Sequence, residues 1–589
     1  MRPFASDLSG LLSTAMRTVA LAAVFQTACG AFASGLEANV GADTPWTTYE
    51  AEAMRTTGTI LGPRYDPYQV ETESSGQKCV RLETNQYVEF TAAAAANALV
   101  VRYSLPDAPG GGGTSSSIEL LINGRPVKSL SVTSRYSHLY GNYPFTNDPA
   151  DGRPRNFYDE LRIKGVAIAA GDAIRLEKGG SDALPCTIDL VDLEAVPPPL
   201  AAPSGSISLL DFGATGDGAS DDTGALLRCM AAARSQGKIV WVPAGEFKLT
   251  RDIVLTSSTT IQGAGMWHTT FVGDPELYGD ASRRVRFKLK GSDIHLADFS
   301  IMGRLNYRND SEPNDGIVGA GCANSSIVRV WIEHTKTGTW IYNGANLRIT
   351  GCRYRDLLAD GVNLCVGTYD TVIENCSTRG TGDDCFAIWP AASDQGFVGA
   401  SRKPGNNVIR HCTGRLPYLA NGGAIYGGES NRIEYCLFTD ITAGCGILVS
   451  TTFPTSDKAL NIDNNFSGET VVQNCRLLRC GGYDHDWAWR GSLGVCLDHR
   501  SISGLTIRQV DIRDSFSDGI SIITPPNRDD RLLLSRTVLE NVTVSGYGIG
   551  TSSRHGLIVS RNAAGGLALM ESNVGSIQND SHLFSIQIN

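Results

Sequence analysis

After residue 33 the sequence has no apolar run of the ~20 residues that a membrane-crossing helix needs, so no membrane span is expected. Charge is sparse: charged residues are 19% of the 589, below the ~25% usual in soluble globular chains. Positive charge is in deficit, Lys+Arg 51 against Asp+Glu 61, for a net charge of −10. That balance excludes a nucleic-acid partner, which is held by clustered Lys and Arg on phosphates. It also disfavours a polyanionic substrate. There is no G-x-S-x-G elbow, no H-E-x-x-H helix and no dinucleotide or ATP loop, which removes serine-hydrolase, zincin and nucleotide chemistry. Helix patterns are scarce, in keeping with 65 glycines that each cost ~1 kcal/mol inside a helix. What remains, 42% hydrophobic and therefore too apolar for disorder, is a turn-rich β protein.

The one apolar run near the start is Met16 to Ala33. Arg17 supplies a positive flank, Val19 to Phe25 an apolar stretch and Ala31-Phe32-Ala33 a cleavage site, so residues 1–33 are expected to be a signal peptide. The mature chain is then a secreted (extracellular or periplasmic) protein, expected to be a monomer. Export permits disulfides among the 15 cysteines. Cys79 and Cys186 stand apart from the others and could pair; most of the rest follow a repeat.

Val196 to Gly205, VPPPLAAPSG, is the clearest boundary, a stiff proline-rich spacer. Residues 34–196 alternate short β runs with Gly, Pro and Asp clusters and are expected to form a β-sandwich. Residues 197–205 are the linker. From 206 to 589 the sequence repeats: Ile349 to Cys352, Ile373 to Cys376, Ile409 to Cys412, Ile433 to Cys436 and Val472 to Cys475 align, and Ile507 to Val510 and Leu539 to Val542 continue with Val in the cysteine slot. Short strands at such a period indicate stacked coils, best met by a parallel β-helix. One slot filled by Cys or Val is an inward column of small apolar groups, so these thiols are expected to be reduced.

The same register places chemistry. Asp360 and Asp384 each lie eight residues after an aligned cysteine, hence in one slot on adjacent coils, ~4.8 Å apart along the backbone. Asp383 is next to Asp384. Crowded like charges raise at least one pKa, and a protonated acid beside an ionised base is what glycosidic cleavage needs. A lone Asp before Gly, such as Asp518, is only a turn residue. Asp484-His485-Asp486 is read as a solvated loop. Trp389, Tyr426 and the later Trp487 and Trp489 offer flat rings suited to sugar faces.

Asp211 to Gly218 and Val242 to Gly245 resemble the opening segment of pectin-lyase-like right-handed β-helices. Ala359 to Leu364, Gly382-Asp383-Asp384 through Trp389, and Leu419 to Gly428 resemble glycoside hydrolase family 87, the bacterial α-1,3-glucanases and mycodextranases. The resemblance implies an all-β right-handed parallel β-helix preceded by a jelly-roll sandwich. It also implies inverting hydrolysis of α-1,3-glucan, or of alternating α-1,3/α-1,4 nigeran, by Asp360, Asp383 and Asp384 without a catalytic cofactor. Trp389, Asn421, Tyr426 and Trp487 become the substrate contacts. Likeness to polygalacturonases makes Asp383 the acid, with Asp360 and Asp384 activating water, although their Gly-His-Gly is missing; Asp360 as the acid stays open. Tyr49 to Glu52, Tyr103 to Asp107 and Ile188 to Leu190 resemble galactose-binding-like modules of carbohydrate-binding family 35. This implies a structural calcium held by Glu50, Glu52 and Asp189. Two competing readings are a pectin-type polyuronate hydrolase or lyase, which needs basic groove residues, and a non-catalytic glycan-binding β-helix whose acids hold calcium.

Overall fold

The computed structural model describes residues 40–589 apart from 144, 181, 257, 275–284, 391–399, 454–455, 458–461, 485–487, 528–530 and 553. The expected signal peptide lies outside the described residues.

The first part, Trp46 to Glu194, is two large antiparallel sheets and a small pair, Leu139–Tyr140 with Pro154–Arg155. One runs Asp159–Ile168, Ala96–Ser104, Cys186–Glu194, Cys79–Leu82, Thr59–Leu61, with Trp46–Glu50 also on Cys186–Glu194. The other runs Arg55–Thr56, Tyr87–Thr91, Ala173–Lys178, Ser115–Ile122, Arg125–Thr133. Ala173–Lys178 alternates half-buried and buried residues, as a strand with one face on a core must. Leu99, Val101, Ile118, Leu120, Ile174 and Ile188 meet in that core. Cys186–Glu194 is buried along its whole length because its second face lies on the rest of the chain. There Glu194 takes both Arg353 nitrogens at 2.7 and 2.8 Å, and Asp192 takes Arg379 at 2.8 Å. The proline-rich run is not a free spacer: Leu200 N–H donates to the Ala264 carbonyl at 2.9 Å, and the Pro197 carbonyl meets His268 Nε2 at 2.9 Å.

From Ile207 on, strands pair in parallel with strands one coil further along, in sheets of 24 and 12 strands among the described residues. Two short antiparallel pairs, Ser456–Asp457 with Ile462–Asp463 and Tyr483–Asp484 with Ala488–Trp489, stand apart from them. Ile349, Ile373, Ile409, Ile433, Val472, Ile507 and Leu539 sit directly in register, as the repeat alignment places them. All seven are buried, each worth ~1.5–3 kcal/mol of removal from water. A sharp corner follows each. Gly351, Asn375, His411, Tyr435, Asn474, Gln509 and Asn541 all have φ between 48° and 65°, turning the chain in one residue. Non-glycine residues resist this conformation by ~1–2 kcal/mol, so the stacked ladder overrides local preference.

Cys352, Cys376, Cys412, Cys436, Cys475, Val510 and Val542 fill the next slot and are buried. The fourteen described cysteines are all free, Cys79 and Cys186 included. Each column thiol also reaches the carbonyl two residues back, at 3.2 Å for Cys412 and 3.6 Å for Cys352. The helix Thr223–Gln236, which no sequence pattern announced, packs Leu226, Cys229 and Met230 onto the first coils and keeps the end of the core from water.

Candidate active site

Strand Val362–Cys365 pairs in parallel with Phe386–Trp389, which pairs with Gly423–Ile425. Residues just before these strands are therefore stacked neighbours. Gly361 N–H donates to the Asp384 carbonyl at 3.0 Å and Cys385 N–H to the Asn421 carbonyl at 2.8 Å. Asp360, Asp384 and Asn421 thus share one slot on three successive coils. Glycine makes the close stacking possible: a Cβ on Gly382 would meet the Tyr418 hydroxyl at 2.1 Å and the Leu358 carbonyl at 2.3 Å.

Carboxylate oxygens of Asp360, Asp383 and Asp384 all lie within 4.8 Å of one another. Asp360 and Asp384 are 6% and 3% exposed. Burial, and then the charges of Asp383 and Asp384, push the Asp360 carboxyl well above its ordinary range. Among the described residues its side-chain hydrogen bond comes from Asn363 Nδ2 at 3.3 Å. Burial and the Asp383 charge raise Asp384 to about 7, against the hydrogen bonds that hold it. Those come from Asn421 N–H at 3.0 Å, Asn421 Nδ2 at 2.8 Å and the Tyr426 hydroxyl at 2.9 Å. Asp383, half-buried, is ion-paired with Arg308 Nη2 at 2.9 Å. Arg308 also grips the Gly382 carbonyl at 2.7 Å and Asp310 at 3.0 Å, and its guanidinium lies 5.1 Å from the Tyr143 ring. Tyr143 comes from the first part of the chain, as do Leu139 and Phe145, which pack with Leu305, Leu358, Tyr418 and Leu419 beside the acids.

The aromatic expectations divide. Trp389 is half-buried in an edge-to-face string, 5.8 Å from Trp340 and 5.4 Å from Phe453. Tyr426 and Asn421 are 7% and 2% exposed and both donate to Asp384, so they position that acid; Asn421 Oδ1 accepts from Cys445 N–H at 2.8 Å. Trp487 lies outside the described residues. Arg308, Asp310, Tyr143, Trp340 and Phe453 carried no sequence signal, since each comes from a coil or insertion remote from the acidic motif. The three carboxylates of the expected calcium site are electrostatic neighbours: burial, with the Glu50 and Asp189 charges, raises Glu52 to about 7. Asp189 accepts from Ser75 N–H at 2.9 Å and from Arg102. Glu50 accepts from the Ser75 hydroxyl at 2.8 Å and faces Arg415.

Recessed, mutually crowded carboxylates beside aromatic rings are the equipment of a glycoside hydrolase, and that is the class to which known proteins assign the chain. Residues 43–196 match the family described as α-1,3-glucanase catalytic domain D1, and residues 223–577 match α-1,3-glucanase catalytic domain D2. The chain belongs to this α-1,3-glucanase catalytic-domain family. Among solved structures, the Agl-KA catalytic domain is 27% identical with a TM-score of 0.82, covering 94% of this chain and 99% of that one. The catalytic unit of the thermostable family 87 α-1,3-glucanase from Streptomyces thermodiastaticus strain HF3-3 is 26% identical, TM-score 0.77, covering 93% and 96%. A third, a family 87 α-1,3-glucanase catalytic domain in complex with nigerose, is 26% identical, TM-score 0.79, covering 93% and 98%. Catalytic domains of family 87 α-1,3-glucanase have also been solved with one Asp replaced by Ala, at three positions: an adjacent pair and a third 23 residues earlier. The curated relatives are different. The pre-neck appendage protein of Bacillus phage B103 is 27% identical over 183 residues, 30% of this chain and 20% of that protein. The chain spans about a fifth of the length of the curated relatives it matches.

Proposed function

We propose that this protein is an exported hydrolase of α-1,3-glucan, acting through Asp360, Asp383 and Asp384. The observation that carries the reading is the meeting of these three carboxylates within 4.8 Å, from two adjacent coils. Their spacing, 360 then 383 and 384, repeats that of the substituted aspartates in the relatives.

Unequal surroundings divide the labour. Asp360, buried with one weak hydrogen bond and two acidic neighbours, retains its proton and serves as the general acid toward the glycosidic oxygen. Asp384, held by three donors, and Asp383, held by Arg308, accept the proton of the attacking water. The Arg308 pairing weighs against Asp383 as the proton donor. Trp389 and Trp340 line up rings for the glucan chain. A uronate substrate is disfavoured because Arg308, the cation that reaches the acids, is already held by Asp383 and Asp310. We read the two antiparallel sheets as a jelly roll of the galactose-binding kind, serving as a scaffold through its buried ion pairs, on a right-handed β-helix.

Family resemblance implies inversion. Retention is the alternative stereochemical outcome for a carboxylate pair. Early-time proton NMR of products from α-1,3-glucan and nigeran separates them. The β-anomer appearing first supports inversion and the α-anomer supports retention. Absence of reducing ends from both glucans, with release from polygalacturonate, sinks the proposal.

A further inference from the structure

Buried charge along the seam between the two parts of the chain is paired almost throughout. Arg102 meets Asp189, Arg353 meets Glu194, Arg379 meets Asp192 and Glu160, and Arg162 meets Glu333. Asp356 is the exception. It is 6% exposed, and among the described residues neither carboxylate oxygen has a hydrogen-bond partner. Its charged surroundings are Glu160, Asp159 and Glu333, opposed by an Arg102 already committed to Asp189. An uncompensated carboxylate in such a place is costly unless it is protonated or holds a cation.

His334 and Asp159 stand beside it. His334 follows strand Ser326–Glu333 and Asp356 follows Arg353–Arg355; Glu333 and Arg355 are in register, so His334 and Asp356 fill one slot on adjacent coils. Both are left-handed corner residues, φ 52° and 48°. Asp159, from the first part of the chain, closes the group. One ligand atom of each lies within 4.8 Å of the other two. His334 and Asp159 are each 4% exposed. The ring of His334 is stacked on Tyr136 at 4.2 Å, and its Nδ1 meets the Met302 sulfur at 3.2 Å. A thioether accepts and does not donate, so Nδ1 carries a proton. Nε2, 2.8 Å from Asp159, bonds that carboxylate only by carrying a second proton, and in the neutral ring its lone pair is available to a metal. The next coil supplies Gly380 in this slot, where a Cβ would come 2.7 Å from Asp356 Oδ1. Further along the same column Asp440 has its own cation, Arg479 at 2.6 Å. Asp356 has none.

We propose that Asp159, His334 and Asp356 form a divalent-metal site that fastens the two-sheet part of the chain to the solenoid. One imidazole nitrogen with two carboxylates suits a first-row transition ion of the zinc type better than calcium or magnesium, which take all-oxygen shells. The metal satisfies Asp356 and ties together residues 159, 334 and 356, so its expected effect is on stability. The site is separate from Asp360, Asp383 and Asp384, and the inference does not depend on the proposed reaction.

The test is the metal content of the purified full chain after exchange into metal-free buffer, with melting temperatures before and after chelation and on adding back Zn2+, Mn2+ or Ca2+. The expected result is about one transition-metal ion per chain. Chelation should lower the melting temperature by about 5 °C or more, with recovery on Zn2+ or Mn2+ and not on Ca2+. Asp356→Asn should lose the ion and the response, while Asp384→Asn keeps both. If Asp356→Asn does not fold, His334→Gln replaces it, and the wild-type arms decide without either. No bound metal together with no response to chelation or addition overturns the proposal. So does an ion that Asp356→Asn or His334→Gln retains, or one that Asp384→Asn loses.

Discussion

Asp384→Asn is expected to trade activity for stability, to a degree set by pH. Burial and the neighbouring Asp383 raise the Asp384 carboxyl from 3.8 to about 7. Below 3.8 it is protonated in both the folded and the unfolded chain, and pH has no leverage through this group. Between 3.8 and about 7 the folded protein keeps a proton that the unfolded chain has released, so stability falls as pH rises. Above that the loss is complete and constant. At ~1.36 kcal/mol per pH unit, the whole interval corresponds to at most about 4 kcal/mol. Asparagine removes this cost while its Oδ1 accepts from Asn421 and its Nδ2 donates to the Tyr426 oxygen, so the local bonds persist. Denaturation midpoints of the two proteins, measured from pH 4 to pH 8, should coincide at the acid end and diverge in favour of the variant toward neutrality. Sugar release should fall by about 10²–10⁴-fold. A variant less stable than wild type at every pH, or more stable by a constant amount, would refute the reasoning.

Arg308→Gln leaves Asp383 and Asp310 without their guanidinium; kcat should drop about 10–100-fold with KM little changed, measured by steady-state kinetics on soluble α-1,3-oligosaccharides. Glu194→Ala strands the buried Arg353 and should cost about 3–5 kcal/mol in a denaturant titration. Cys436→Val, which places in one more coil the residue already used at Val510 and Val542, should cost less than about 1.5 kcal/mol. In native wild-type protein the column thiols should resist a thiol reagent until unfolded.

The solenoid was legible because its constraint is periodic. An Ile, a corner residue and a small apolar group recur at each coil, and the register of the acids follows from counting. Asp518 shows why counting was needed: it fills the same type of turn, accepts from His555 N–H at 2.8 Å and has no acidic neighbours stacked on it. What the sequence hid is contact between distant segments. Arg308 lies in an insertion between strands Ile294–Met302 and Ile317–Ala320, and nothing in its neighbourhood predicts Asp383 as a partner. Tyr426 and Asn421 were visible as residues but not as supports, since whether a ring meets solvent or an acid depends on one coil's turn. The pairing of Asp189 with Arg102, on a neighbouring strand, was likewise invisible in the sequence.

Reducing-end release from insoluble α-1,3-glucan by wild type, Asp360→Asn, Asp383→Asn and Asp384→Asn, each shown to be folded by its melting curve, is the most direct measurement. Steady release by wild type and a loss of about 10²-fold or more in every variant is the predicted result. Wild-type protein that releases nothing, or an Asp360→Asn enzyme that works as well as the original, would contradict the account.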